Sequence, residues 1–239
     1  SADLWLPSKR CESCDNERHF HADKSSTFMP FIRKTPQGPE PVMTQISYGS
    51  GTIAGYAVQD TVTIAAATLP NQSFIIVEDA ALPPHKTWDG ICGLGWSHLS
   101  SGGTPIYKRL RDAGTAPVFT LVPKGDDGAY MTVGGGAEAA CKAGTLAWAA
   151  AEPVSEGGAR SFWVVTGGLA IHKATPTKVR FLVDTGSSFF LVPATYFQAL
   201  VHSVFPAEVF QKQCGVDPSD GGLVVCDCAV IDAPGMLPL

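Results

Sequence analysis

Between residues 42 and 77 short apolar runs follow one another, VMTQISY, TIAGYAVQDTVTIA and SFIIV, each rich in β-branched residues and punctuated by Gly or Asn. Such runs predict consecutive strands. Gly49, Gly51 and Gly55 interrupt the first two runs and predict a hairpin tip. A period near four appears in TPIYKRLRDAG, residues 104–114, which predicts a helix. Thr104 is expected as its N-cap, with Pro105 in the first helical position, Ile106 and Leu110 on one face and Gly114 as a left-handed C-terminal stop. A second helix is expected over 194–204, where Tyr196, Leu200 and Val204 recur every four residues. VFTLV, AYMTVGG, TLAWA, SFWVVTGGLAI and VRFLVD read as further strands. The stretch 149–159, AAAEPVSEGGA, has few large apolar residues and predicts a crossing between two lobes, 1–150 and 151–239.

With 239 residues the chain can bury a sizeable core, and 25 glycines and 18 prolines spread among short apolar runs favour a mainly β architecture. A net charge of −5 leaves no basic footprint for nucleic acid or an anionic membrane surface. No run approaches the roughly 18 to 20 apolar residues of a membrane span.

Seven cysteines leave at least one thiol without a partner inside the chain. Cys11-x-x-Cys14 stands alone where a zinc ribbon needs two such pairs, so a small hairpin disulfide is the preferred reading. Cys226 and Cys228 flank Asp227. Histidines 19, 21, 85, 98, 172 and 202 show no metal-ligand spacing beyond His19-x-His21, read as a solvated loop, so no metal site is expected. Gly134-Gly135-Gly136 lacks both the Lys-Ser/Thr of a phosphate loop and a convincing helix after it, and reads as a tight turn. One sequon, Asn71-Gln72-Ser73, follows Pro70 in an expected turn and fits a secretory compartment.

The chain also echoes itself. Its first seven residues, SADLWLP, resemble SSFFLVP at 187–193: serine on serine, three apolar positions on three, proline on proline. The second copy is preceded by Phe181-Leu182-Val183-Asp184-Thr185-Gly186, an apolar strand that delivers a carboxylate into a turn. An apolar Leu4-Trp5-Leu6 so close to a terminus is unusual for a mature chain, and the echo predicts an Asp-Thr-Gly immediately before Ser1.

These segments resemble the pepsin-like aspartic proteases. The resemblance rests on apolar-apolar-Asp-Thr-Gly-Ser at 182–187, on SADLWLPS, on ISYGSGTIAGYAVQDTVTI at 46–64 as a flap hairpin, on WDGICGLGW at 88–96 and on GGTPIYKRLRDAG after it. It implies a mainly β, bilobal double-β-barrel fold with a nearly complete first lobe and a partial second one. It also implies an incomplete chain, since the family carries one Asp-Thr-Gly and one apolar-apolar-Gly per lobe. Here there is a single Asp-Thr-Gly, in the second lobe, and one apolar-apolar-Gly, Ile91-Cys92-Gly93, in the first. The Cys11–Cys14 spacing is tighter than the family's usual first-lobe pair, and KATPTKVR holds no cysteine for its second-lobe bridge.

The implied chemistry is peptide hydrolysis by two carboxylates that share one proton, one ionised as base and one protonated as acid, acting on an activated water. No cofactor or metal takes part. Carried over by position, Asp184 is the second-lobe catalytic aspartate, Gly186 and Ser187 bind substrate backbone, Thr185 supports the loop and Ser1 borders the first aspartate. Tyr48, Gly49 and Ser50 form the flap tip, Trp5 holds the Tyr48 hydroxyl, and Trp88 and Ile91 line an apolar subsite. Each has a plainer reading: Trp5 and Trp88 as core, Tyr48 as hairpin chemistry, Asp184 as a turn cap. The implied partners are a polypeptide substrate and the remaining segments or subunits that complete the fold, and the implied route is secretory, towards a vacuole, lysosome or the exterior. The competing expectation is a catalytically inactive pepsin-like domain that serves as a binding or structural subunit.

Overall fold

The computed structural model describes residues 1–83, 88–101, 103–123, 128–154, 158–171, 175–217 and 222–232. In chain order the strands and helices are β1 (Leu4–Pro7), β2 (Met29–Pro30), β3 (Ile32–Thr35), β4 (Gly38–Pro41), β5 (Met43–Tyr48), β6 (Gly51–Ile64), β7 (Ala67–Ala81), β8 (Ile91–Cys92), α1 (Ile106–Asp112), β9 (Phe119–Val122), β10 (Tyr130–Val133), α2 (Ala137–Ala140), β11 (Val164–Leu169), β12 (Thr177–Leu182), α3 (Ala194–Val204), α4 (Ala207–Gln213), β13 (Cys214–Asp217) and β14 (Leu223–Cys226). The architecture is mainly β. It divides into two compact units, Ser1–Val165 and Thr166–Leu239.

In the first unit β2, β6, β7, β1 and β8 form one sheet in that order, with β5 also paired to β6. The β5–β6–β7 meander fits the β-branched runs of residues 42–77, and in β7 the consecutive residues Phe74, Ile75, Ile76 and Val77 are all buried, alternate ones in different core clusters. Trp5, Ile46, Ile53, Ile75 and Val77 fill one cluster, and Val58, Phe74 and Ile76 fill another. Each fully buried side chain of this size stabilises the fold by roughly 1.5–3 kcal/mol. A third cluster joins Leu69 of β7 to Ile106 and Leu110, the predicted inner face of α1. Gly114 takes the left-handed conformation after α1, with φ +83°.

Several expectations are corrected. The hairpin between β6 and β7 turns at Ala65, with φ +50°, and the Pro70-Asn71 segment predicted as a turn lies inside β7. Register holds Asp60 opposite Gln72 and Val62 opposite Leu69, so the glycine-free turn at Ala65 prevails and the Pro-Asn pair is absorbed as an extra residue in the strand. Thr104 does not cap α1: Pro105 holds the N-cap position in extended geometry, and the Thr104 backbone is bonded to β7. TLAWA forms no strand, since it joins no ladder among the described residues, and Trp148 is 73% exposed. A one-turn helix, α2, does open after the three glycines, all of which have positive φ.

In the second unit β11 pairs with β12 and β13 with β14. α3 spans the predicted 194–204, and its buried residue is Val201. α4 and the β13–β14 hairpin had no expectation. The hairpin is bridged by Cys214–Cys226, while Cys11–Cys14 closes the predicted small loop; Cys92, Cys141 and Cys228 are free. His85, His172, the middle of the 149–159 crossing and the terminal GMLPL lie outside the described residues.

Candidate functional site

In the first unit the segment after Ser1 is held on three sides. β1 runs parallel to β7, with Trp5 opposite Ile75, and antiparallel to β8, with Trp5 opposite Ile91. The chain ahead of it is clamped by backbone: Gly93 N–H donates to the Asp3 carbonyl (2.9 Å) and Gly95 N–H to the Ser1 carbonyl (3.0 Å). This approach needs glycine, because a Cβ on Gly93 would stand 2.7 Å from the Ser1 carbonyl. The Ser1 hydroxyl accepts the Asp3 N–H at 3.0 Å.

Asp3 is buried and its carboxylate accepts the Ser100 hydroxyl (2.9 Å) and the Ser101 N–H (3.0 Å), which fastens the loop after β8 to the start of the chain. Sequence reasoning passed over this anchor. Its signal is a carboxylate inside an otherwise apolar run, which must find donors when buried.

Trp5 is fully buried and its indole N–H donates to the Tyr48 hydroxyl at 3.0 Å. Tyr48 ends β5 opposite Gly51, so the exposed Gly49 and Ser50 form the hairpin tip. Burial pushes the Tyr48 phenol above its ordinary pKa; the Ser1 and Trp5 hydrogen bonds pull it back, and the Asp3 charge pushes it further up. The Trp88 ring meets Trp5 edge-on at 5.6 Å, and Trp88 remains 38% exposed. Ile91 packs half-buried against the Trp5 cluster. Burial pushes the neighbouring Cys92 thiol up to about 11, although part of the residue reaches solvent.

In the second unit Asp184 follows β12 in an exposed turn. Its Oδ1 accepts the Gly186 N–H and its Oδ2 the Ser187 hydroxyl, both at 2.9 Å, and its carbonyl accepts the Ser187 N–H at 3.3 Å. Thr185 occupies the same exposed turn. Leu182, Val183, Phe189, Phe190 and Leu191, on either side, are at least half exposed, up to 80% at Leu191. Among the described residues no group of three His, Cys, Asp or Glu side chains is placed to hold a metal ion, and no helix is long and apolar enough to cross a membrane.

A strand followed by an Asp-Thr-Gly-Ser turn, together with a mainly β chain carrying a long hairpin and a glycine-clamped loop, fits a pepsin-like fold. Residues 1–235 match the family model described as eukaryotic aspartyl protease, and the chain belongs to that family. It is 28% identical to Pepsin A of Suncus murinus and to Pepsin A of Sus scrofa, in each case over 98% of this chain and 57% of the relative. It is 29% identical to Gastricsin of Callithrix jacchus over 85% of this chain and 52% of that protein. The chain thus spans little more than half the length of these relatives. The two disulfides fit an oxidising secretory or extracellular route.

Proposed function

We propose that this chain is part of an aspartic endopeptidase, a hydrolase that cleaves peptide bonds with a pair of carboxylates and an activated water. Asp184 is one carboxylate; the other comes from outside these 239 residues, which hold a single Asp-Thr-Gly. The observation that carries the reading is the Asp184 turn, where Gly186 N–H and the Ser187 hydroxyl orient both carboxylate oxygens. Such an orientation fixes both oxygens for a pair in which one carboxylate acts as base and the other as acid. Gly186 and Ser187 bind the substrate backbone and Thr185 supports the loop. Tyr48, Gly49 and Ser50 close over the peptide and exclude water, with Tyr48 held by Trp5 and Ser1 bordering the partner aspartate. Trp88 and Ile91 line an apolar subsite.

The lobes of this reading are 1–150 and 151–239, and the protein travels the secretory route to a vacuole, lysosome or the exterior. The exposed apolar flanks of Asp184 support a protein whose further segments or subunits cover them, because a patch of that kind is rarely left to water. The 239 residues alone are therefore expected to be inactive.

The test is cleavage of an unfolded protein at acidic pH by the full protein. Activity blocked by a statine-type transition-state mimic and abolished by Asp184→Asn is expected. Undiminished activity in Asp184→Asn overturns the assignment, and a full protein with no activity at any acidic pH favours a pepsin-like binding subunit.

A further inference from the structure

Asn71 stands apart from its neighbours in β7. Pro70, Gln72 and Ser73 are all committed to α1 or the residue ahead of it: the Arg109 guanidinium donates to the Pro70 carbonyl, Gln72 Nε2 donates to the Thr104 carbonyl at 2.8 Å, and Thr104 N–H donates to the Ser73 hydroxyl at 2.7 Å. Gln72 is 1% exposed, as is Leu69 on the other side. Asn71 is exposed, at φ +52°, a left-handed conformation that asparagine tolerates better than most residues. The cause is the register change in the ladder, where Pro70 and Asn71 together stand against Thr61. No hydrogen bond to the Asn71 side chain is found among the described residues, so a substituent on its amide displaces nothing. Asn71-Gln72-Ser73 is also the one Asn-x-Ser/Thr sequence in the chain, with no proline in the middle position.

We propose that Asn71 is an N-glycosylation site, and that it is modified before the first unit folds. The Asn71 amide nitrogen bonds to the anomeric carbon of a lipid-pyrophosphate-linked oligosaccharide. The carbon–oxygen bond to the pyrophosphate breaks, the pyrophosphoryl lipid leaves with that oxygen, and the amide loses one proton; nothing is oxidised or reduced. Transfer requires the Ser73 hydroxyl and an accessible, flexible chain, yet in the fold that hydroxyl is engaged by Thr104, 31 residues further on. The window therefore closes when α1 docks on β7. Afterwards the glycan stands in water, because the side chain that bears it points outward.

The inference rests on the secretory route that the disulfides fit and is independent of the catalytic reading. The experiment imposes the route: the full protein is expressed behind a cleavable leader in a eukaryotic secretory host, then treated with peptide N-glycosidase in ¹⁸O-water, and the peptide around Asn71 is analysed by mass spectrometry. Conversion of residue 71 to ¹⁸O-labelled aspartate is expected, with loss of the glycan in Asn71→Gln and its retention in Ser73→Thr. Because transfer precedes folding, a chain that misfolds still reports. An unmodified Asn71 in protein carrying the Cys214–Cys226 disulfide overturns the site. For timing, chain translated in the presence of microsomes is expected to be modified and folded chain exposed to the same transferase is not; equal modification overturns the pre-folding claim.

Discussion

The indole nitrogen of Trp5 lies 3.0 Å from the hydroxyl of Tyr48, 43 residues further along the chain, and this bond joins the strand after Ser1 to the tip of the β5–β6 hairpin. Tyr48→Phe removes the acceptor while keeping the ring, and leaves a buried indole N–H without a partner. A loss of about 1–3 kcal/mol in unfolding free energy is expected by denaturant titration. Trp5→Phe in the Tyr48→Phe background should cost less than Trp5→Phe alone, because the pair shares one bond.

The same phenol predicts a pH dependence. Burial raises its folded-state pKa above the usual value near 10, so the native state keeps the proton that the unfolded chain releases. The contribution of Tyr48 to stability is complete below about pH 10 and is lost as the pH rises above that value through the folded pKa. Unfolding midpoints measured from pH 8 to 11 should fall at the upper end, and less so in Tyr48→Phe.

Gly93→Ala places a methyl group 2.7 Å from the Ser1 carbonyl and 2.8 Å from the Asp3 amide. Both neighbours are backbone, so the segment Ser1–Asp3 must move. Destabilisation of more than about 1 kcal/mol is expected from thermal melting, the range for substitutions that a glycine site does not accommodate. In the full protein peptidase activity should fall with it, because the displaced residues border the proposed site.

Asp3→Ala strands the donors of Ser100 and Ser101 and should cost about 1–3 kcal/mol. Asp3→Asn retains one carbonyl acceptor of the same shape and should recover part of that loss. Proteolysis of the 97–104 loop, followed in both variants, reports whether the anchor is local.

Cys92 should resist alkylation. An ordinary exposed thiol titrates near 8.5, whereas burial holds Cys92 at about 11. Its thiolate is scarcer but more nucleophilic, so at pH 8 iodoacetamide should react at least about tenfold more slowly than with a cysteine peptide. A rate equal to the peptide's refutes the desolvated setting.

How far the chain is legible follows from the distance over which each signal acts. The strands of residues 43–77, the inner face of α1 at Ile106 and Leu110, and the span of α3 are all written in local runs and periodicity, since each depends on apolar residues close together in sequence. The Asp-Thr-Gly-Ser motif and its echo at SADLWLPS were equally visible. Where a partner had to be found, local patterns misled. TLAWA has no ladder to join among the described residues, while Pro70-Asn71 looks like a turn and is kept in β7 as a bulge between the Asp60–Gln72 and Val62–Leu69 pairs. Cys226 has Cys228 for a neighbour in sequence, yet the β13–β14 register brings Cys214 against it instead.

Mainly β character is thus readable from local runs and turn formers, and family membership from the resemblance of short motifs in order; the residues proposed for catalysis follow from that resemblance. Only the fold decided which groups satisfy one another: Trp5 with Tyr48, Asp3 with Ser100 and Ser101, Gly93 against the Ser1–Asp3 backbone. These pairings join residues 43 to 98 positions apart. Burial leaves each polar atom dependent on whichever donor or acceptor the packing delivers, and no local pattern encodes that delivery.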